Sequence, residues 1–68
     1  MSIKLLSIDD IGLSNRSRNA LRRAGVHNVG DMLECTEENL CKIRNIGIRS
    51  IAEIMDKIEE YRAYEEQG

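Results

Sequence analysis

Asn45, Ile46 and Gly47 form a turn signal directly ahead of Ile48, Arg49 and Ser50. Glycine permits positive φ and close approach of another backbone, so Gly47 reads as the pivot of that turn. A helix beginning near Ile48 leaves the N–H groups of Ile48, Arg49 and Ser50 without intrahelical partners. Three free N–H groups with a cation among them suit an anion, and a phosphate is the natural occupant. A second pair, Arg16 and Asn19, is three residues apart near another helix start, so the two share a face. Such a pair suits nucleic-acid groove edges and phosphates, and it also suits plain solvent. The stretch LCKIRNIGIRSIAEIM reads as a short helix, a tight turn and a longer helix. One reading is a helix–hairpin–helix that grips nucleic-acid backbone through its turn. The other is a helix–turn–helix corner that only packs.

Other chemistry finds no pattern. His27 is the only histidine; it falls in an expected turn with no nucleophile nearby, which points to a capping or surface role. Cys35 and Cys41 lack the paired spacing of a zinc site, and Cys41 is expected near the core. The phosphate loop G-x-x-x-x-G-K is absent. No catalytic residue, metal ligand set, cofactor or small-molecule substrate is therefore expected, and the chain reads as non-enzymatic.

Helices must position these groups. The chain has 68 residues, no Pro, Trp or Phe, and an apolar content dominated by Ile, Leu, Met, Val and Ala, which favours one small domain of packed helices over a sheet sandwich. Residues 1–13 form a lead-in whose Leu5, Leu6, Ile8, Ile11 and Leu13 can cover a core edge, with Asp9, Asp10 and Gly12 in a turn. Ser14, or Asn15, caps a helix over about residues 16–24 that Gly25 stops, with Ala20, Leu21 and Ala24 inward. Asn28 caps a short helix over 29–34, and Thr36 one over 37–42 with two acids in its first turn. The last helix runs over about 48–64, and an acidic tail over 62–68 is expected to fray. Leu21, Met32, Leu33, Leu40, Ile43, Ile51 and Ile54 are the expected core. DIGLSNRS and NIGIRS echo each other, each setting Ile–Gly ahead of an Arg–Ser that opens a helix.

The formal charge is −2, which by itself argues against a polyanion partner. Its distribution argues for one. Arg16, Arg18, Arg22 and Arg23 fall in an acid-free block over 11–30, and Lys42, Arg44 and Arg49 in another over 39–52. A local patch, rather than net charge, sets the field at a binding face. No apolar run approaches membrane-spanning length and no signal-peptide region follows Met1, so the expected location is cytoplasmic, with no membrane partner.

From about Leu6 to Ile58 the sequence resembles the C-terminal domain of the bacterial RNA polymerase alpha subunit. The resemblance rests on LSIDDIGLSNRSRNAL, then AGVHNVGDM, then TEENLCKIRNIGIRSIAEI. It implies an all-α compact bundle of four short helices with two helix–hairpin–helix-like motifs. It also implies binding of double-stranded, A·T-rich promoter DNA through the minor groove, with contacts to sigma factor and transcription activators. The groove-entering arginine matches Arg16, followed by Asn19 and by Ala20, where the family often has cysteine. The hairpin glycine matches Gly47, the basic residue, usually lysine, is Arg49, and Ser50 and Glu53 follow. Asp9 and Asp10 match the acidic cluster that can meet sigma factor, although a further acid of some members falls at Gly12. Thr36 and Glu37 lie where the family can meet activators. The alpha subunit's large N-terminal domain and linker are not in this sequence, and YRAYEEQG lacks the family's Gly–Leu-rich ending. The expectation is either an excised domain or a free-standing relative, and the tail favours the second. The alternative to a DNA-binding module is a free-standing protein–protein interaction module that keeps the fold without specific DNA binding.

Overall fold

A computed structural model describes residues 2–67. Two short 3-10 turns, Ile3–Leu5 and Ile8–Asp10, lead into α1 (Asn15–Arg23), α2 (Val29–Leu33), α3 (Glu37–Cys41) and α4 (Ile48–Gln67). Among the described residues there is no strand, and no helix is long and apolar enough to cross a membrane. The all-α bundle expected from the sequence is the fold observed.

Local hydrogen bonds explain where the first three helices begin. The Ser14 hydroxyl accepts from the Ser17 N–H, and Asn28 Oδ1 accepts from the Asp31 N–H. Thr36 and Asn39 form a reciprocal capping box, each side chain accepting from the other's N–H at 3.1 Å. A box of this kind satisfies two donors that a five-residue helix would otherwise leave open. Helix α1 ends as expected: Ala24 is the C-cap, and Gly25 follows at φ 86°, a left-handed conformation that costs glycine little.

The lead-in does more than cover an edge. Ser2 and Ser7 each accept a hydrogen bond that starts a 3-10 turn. Between the turns, the Val29 N–H donates to the Leu6 carbonyl at 2.9 Å, and the Ile8 N–H to the His27 carbonyl at 3.1 Å. These bonds stitch the lead-in to the link before α2 and drive Ile8, Ile11 and Leu13 into the core. Leu5, in contrast, is exposed.

Leu21, Met32, Leu33, Leu40 and Ile54 are buried as expected, and Val26, Val29 and Ile58 join them. Ile43 and Ile51 are only half-buried and flank that core. The inward line of α4 passes through Ile54 and Ile58, which leaves Ile51 and Met55 on its shoulders. Ala24 is exposed, because the helix is already ending there, and Ser17 takes a buried place on α1 instead. Cys41 is exposed rather than near the core, and Cys35 is the half-buried cysteine, its thiol pushed up by burial and by Asp31 and Glu34 nearby. His27 is exposed and donates its N–H to Asp31.

Helix α4 continues to Gln67, past the end near Tyr64 read from the sequence. Besides the packing of Ile58 and Tyr61, two polar contacts among the described residues tie its distal half to the body. Arg62 donates to the Leu33 carbonyl at 2.9 Å, and Lys4 pairs with Glu65 at 2.9 Å. Gly68, the end of the expected fraying tail, lies outside the described residues.

The division between centre and shoulder of α4 is measurable. Ile54→Ala should destabilise the domain by roughly 2–5 kcal/mol, and Ile51→Ala by clearly less. Chemical denaturation of the two variants checks this, and equal losses would show that the inward line is misplaced.

Candidate nucleic-acid interface

The starts of α1 and α4 border one open groove. It is lined from α1 by Arg16, Asn19, Ala20 and Arg23, and from the hairpin and α4 by Asn45, Gly47, Ile48, Arg49, Ser50 and Glu53. The two stretches singled out from sequence thus come together, although Arg16 and Arg49 lie far apart in the sequence.

Glu53 makes the junction. From the second turn of α4, its carboxylate accepts the Ser14 hydroxyl at 2.8 Å and the Ser14 N–H at 3.2 and 3.3 Å. The Ser14 hydroxyl also lies 3.2 Å from that of Ser17, which is fully buried between the helices. Hydrogen bonding from the Ser17 hydroxyl, with that from the Ser14 hydroxyl and N–H, holds the Glu53 carboxyl below the usual carboxylate range, against the opposing effect of its partial burial. Glu53 therefore fixes the N-terminus of α1, and with it Arg16, against α4.

The hairpin differs from its sequence reading in one respect. The left-handed residue of the turn is Asn45, at φ 63°, and not Gly47. Asparagine visits this region more readily than most residues. Gly47 has no such backbone need, and a Cβ built on it would meet nothing within 4 Å. Its carbonyl accepts the Ile51 N–H at 3.1 Å, which makes it the N-cap of α4. Having no side chain, it leaves the N–H groups of Ile48, Arg49 and Ser50 without a partner among the described residues. The echoed motif near the start places its left-handed residue differently, at Gly12 itself, and a 3-10 turn stands in for its first helix.

Arg16, Asn19, Gly47 and Arg49 are exposed. Ala20 and Ser50 are buried, so they shape the groove floor rather than reach out of it. Arg16, Arg23 and Arg49 have no carboxylate partner among the described residues. In the sequence Arg23 stands out only as part of a basic block; its spacing of i, i+3, i+7 with Arg16 and Asn19 is the signal that places it on the same face. Arg18 and Arg22, from that same block, are not free. Both are bound to Asp9, Arg18 at 3.6 Å, from a lead-in that the linear sequence keeps apart from them. Asp9 is thus engaged within the molecule, whereas Asp10, Thr36 and Glu37 are exposed, and none of the four lines the groove.

A small all-α domain that presents a hairpin turn and a helix start on one basic groove is of the helix–hairpin–helix nucleic-acid-binding class. This protein belongs to the family described as the C-terminal domain of the bacterial RNA polymerase alpha subunit, whose match spans residues 2–60. It is similar to the DNA-directed RNA polymerase subunit alpha of Rubrobacter xylanophilus, at 46% identity over 61 residues, 90% of this chain and 20% of that protein. The corresponding subunit of Thermotoga petrophila is 47% identical over 53 residues, 78% of this chain and 16% of that protein. That of Moorella thermoacetica is 42% identical over 55 residues, 81% of this chain and 18% of that protein. The sequence spans a fifth or less of the length of these curated relatives. Membership of the family implies a DNA-binding role in transcription.

The Glu53 junction predicts a pH dependence. A carboxyl whose pKa is lowered on folding adds stability above its unfolded value and loses that contribution as pH falls through its folded value. Glu53→Gln should lower the melting temperature at pH 7, and the gap to the parent should close as the pH falls below the ordinary carboxylate range. Thermal melts across that range check it, and a gap independent of pH would remove the charge from the account.

Proposed function

We propose that this domain holds A·T-rich duplex DNA in the groove between α1 and the hairpin, as a non-catalytic promoter-binding module acting in the cytoplasm. The observation that carries the reading is the convergence of Arg16, Asn19, Arg23 and Arg49 on one open groove whose single acid among the described residues, Glu53, is engaged by Ser14. Arg16 and Asn19 enter the minor groove. A narrow A-tract groove has enhanced negative potential, which an inserted arginine senses. The free N–H groups after Gly47, with Arg49, hold a phosphate and set the register of the backbone. Ala20 and Ser50 supply the floor against which the strand lies, and Glu53 positions Arg16. Asp10 beside Asp9, and Thr36 with Glu37, are contact points for sigma factor and activators, on faces away from the groove. RNA polymerase is the assembly in which such a module acts.

Binding should be weak and salt-sensitive, with log K falling against log salt at a slope of about −3 for three or four neutralised phosphates. Arg16→Ala should reduce affinity and flatten the preference for A-tract over G·C-rich duplexes. Arg49→Ala should weaken all sequences alike and make the slope shallower by about 1. Titrations of both duplex types at two salt concentrations separate these effects. Equal binding of the parent to both types, or none at low salt, would leave only a protein-interaction role for the fold.

Gly47→Ser provides a test from the opposite side. Serine is at least as good an N-cap as glycine, so stability should be unchanged or slightly raised. Its hydroxyl would accept one of the N–H groups proposed for phosphate, and its bulk would stand in the groove. Affinity for every duplex should fall while the melting temperature does not. A variant that binds as well as the parent would sink the phosphate assignment.

A further inference from the structure

Among the described residues Ile48 is the most exposed of the large apolar side chains, at 86%. Single exposed apolar residues are ordinary on protein surfaces. This one is set apart by its place. It is the first residue of α4, it lines the basic groove, and it stands between the side-chain-free Gly47 and the unpaired Arg49. Among the described residues nothing packs on it closely enough to require an aliphatic group there. Tyr64, also exposed, lies against Tyr61 with ring centroids 5.7 Å apart, and Leu5 sits beside the Lys4–Glu65 pair, whereas Ile48 stands almost clear of the rest of the protein.

We infer that Ile48 is a nonionic contact residue for nucleic acid, packing on the C–H face of a deoxyribose next to the phosphate held by the α4 N–H groups. The inference rests on the DNA-binding reading above and deepens it. Along each strand of a duplex, apolar sugar faces alternate with phosphates. A residue adjoining a phosphate-holding turn therefore meets a sugar, and isoleucine matches that surface where a cation does not. Its β-branch restricts χ1, so little rotamer freedom is lost on contact. The contact displaces no counterion, so its share of the affinity does not fall as salt rises.

The test is a set of fluorescence-anisotropy titrations of the parent, Ile48→Ala, Ile48→Lys and Arg16→Ala with an A-tract duplex over a range of salt. Partial burial of one aliphatic group is equivalent to roughly three- to tenfold in affinity, so Ile48→Ala should bind that much more weakly. Its salt slope and its melting curve should match the parent's. Ile48→Lys should steepen the slope by about 0.9, binding more tightly than Ile48→Ala at low salt and losing that advantage at high salt. If Arg16→Ala weakens binding while Ile48→Ala binds like the parent, Ile48 makes no contact with DNA, and its exposure serves another partner, although the DNA-binding reading stands. If Ile48→Ala changes the slope, the contact is not nonionic. If the parent binds no duplex at low salt, both readings fall together.

Discussion

Everything at the groove depends on one carboxylate. Glu53 receives the hydroxyl and the N–H of Ser14, and so joins the second turn of α4 to the residue that caps α1. Two helix starts that are distant in sequence become one rigid corner. Arg16 lies two residues past Ser14 and Arg49 four residues before Glu53, so the distance between the two cations is set through this bond. The same bond occupies the only acid that lines the groove among the described residues. A free carboxylate there would oppose any polyanion; one already accepting several hydrogen bonds opposes it less and carries a structural duty besides.

That arrangement explains how a protein of net charge −2 presents a basic surface. Its charges are sorted in space and not along the sequence. Asp9 takes up Arg18 and Arg22, Glu65 takes Lys4, Glu60 takes Lys57, and Glu38 takes Lys42. Exposed pairs of this kind add little stability individually. Their effect is to decide which cations remain available, and the three on the groove are among those that do.

Legibility in the sequence depends on range. The caps at Ser14, Asn28 and Thr36, the stop at Gly25 and the inward faces of Leu21, Met32 and Ile54 are local chemistry, and residue type with spacing discloses them. The burial of Ile8 is not legible in that way, because it comes from bonds between the lead-in and the His27 to Val29 link. Nor is the sequestration of Arg18 and Arg22, which requires a 3-10 turn to bring Asp9 onto α1. Turn chemistry is half legible: residue types locate the hairpin, but they point to glycine as its strained residue when Asn45 fills that place and Gly47 is left free for another purpose. Arg16, Asn19, Gly47 and Arg49 are picked out by helix-start and turn chemistry as well as by the family resemblance, while Arg23 emerges only when the helical face is drawn.

The ion pair between Lys4 and Glu65 has a topological consequence. Its Nζ–Oε1 contact of 2.9 Å ties the first 3-10 turn to the distal part of α4, and neither residue lines the groove. The pair thus closes the stretch of chain between Lys4 and Glu65 into a loop, through residues outside the binding groove.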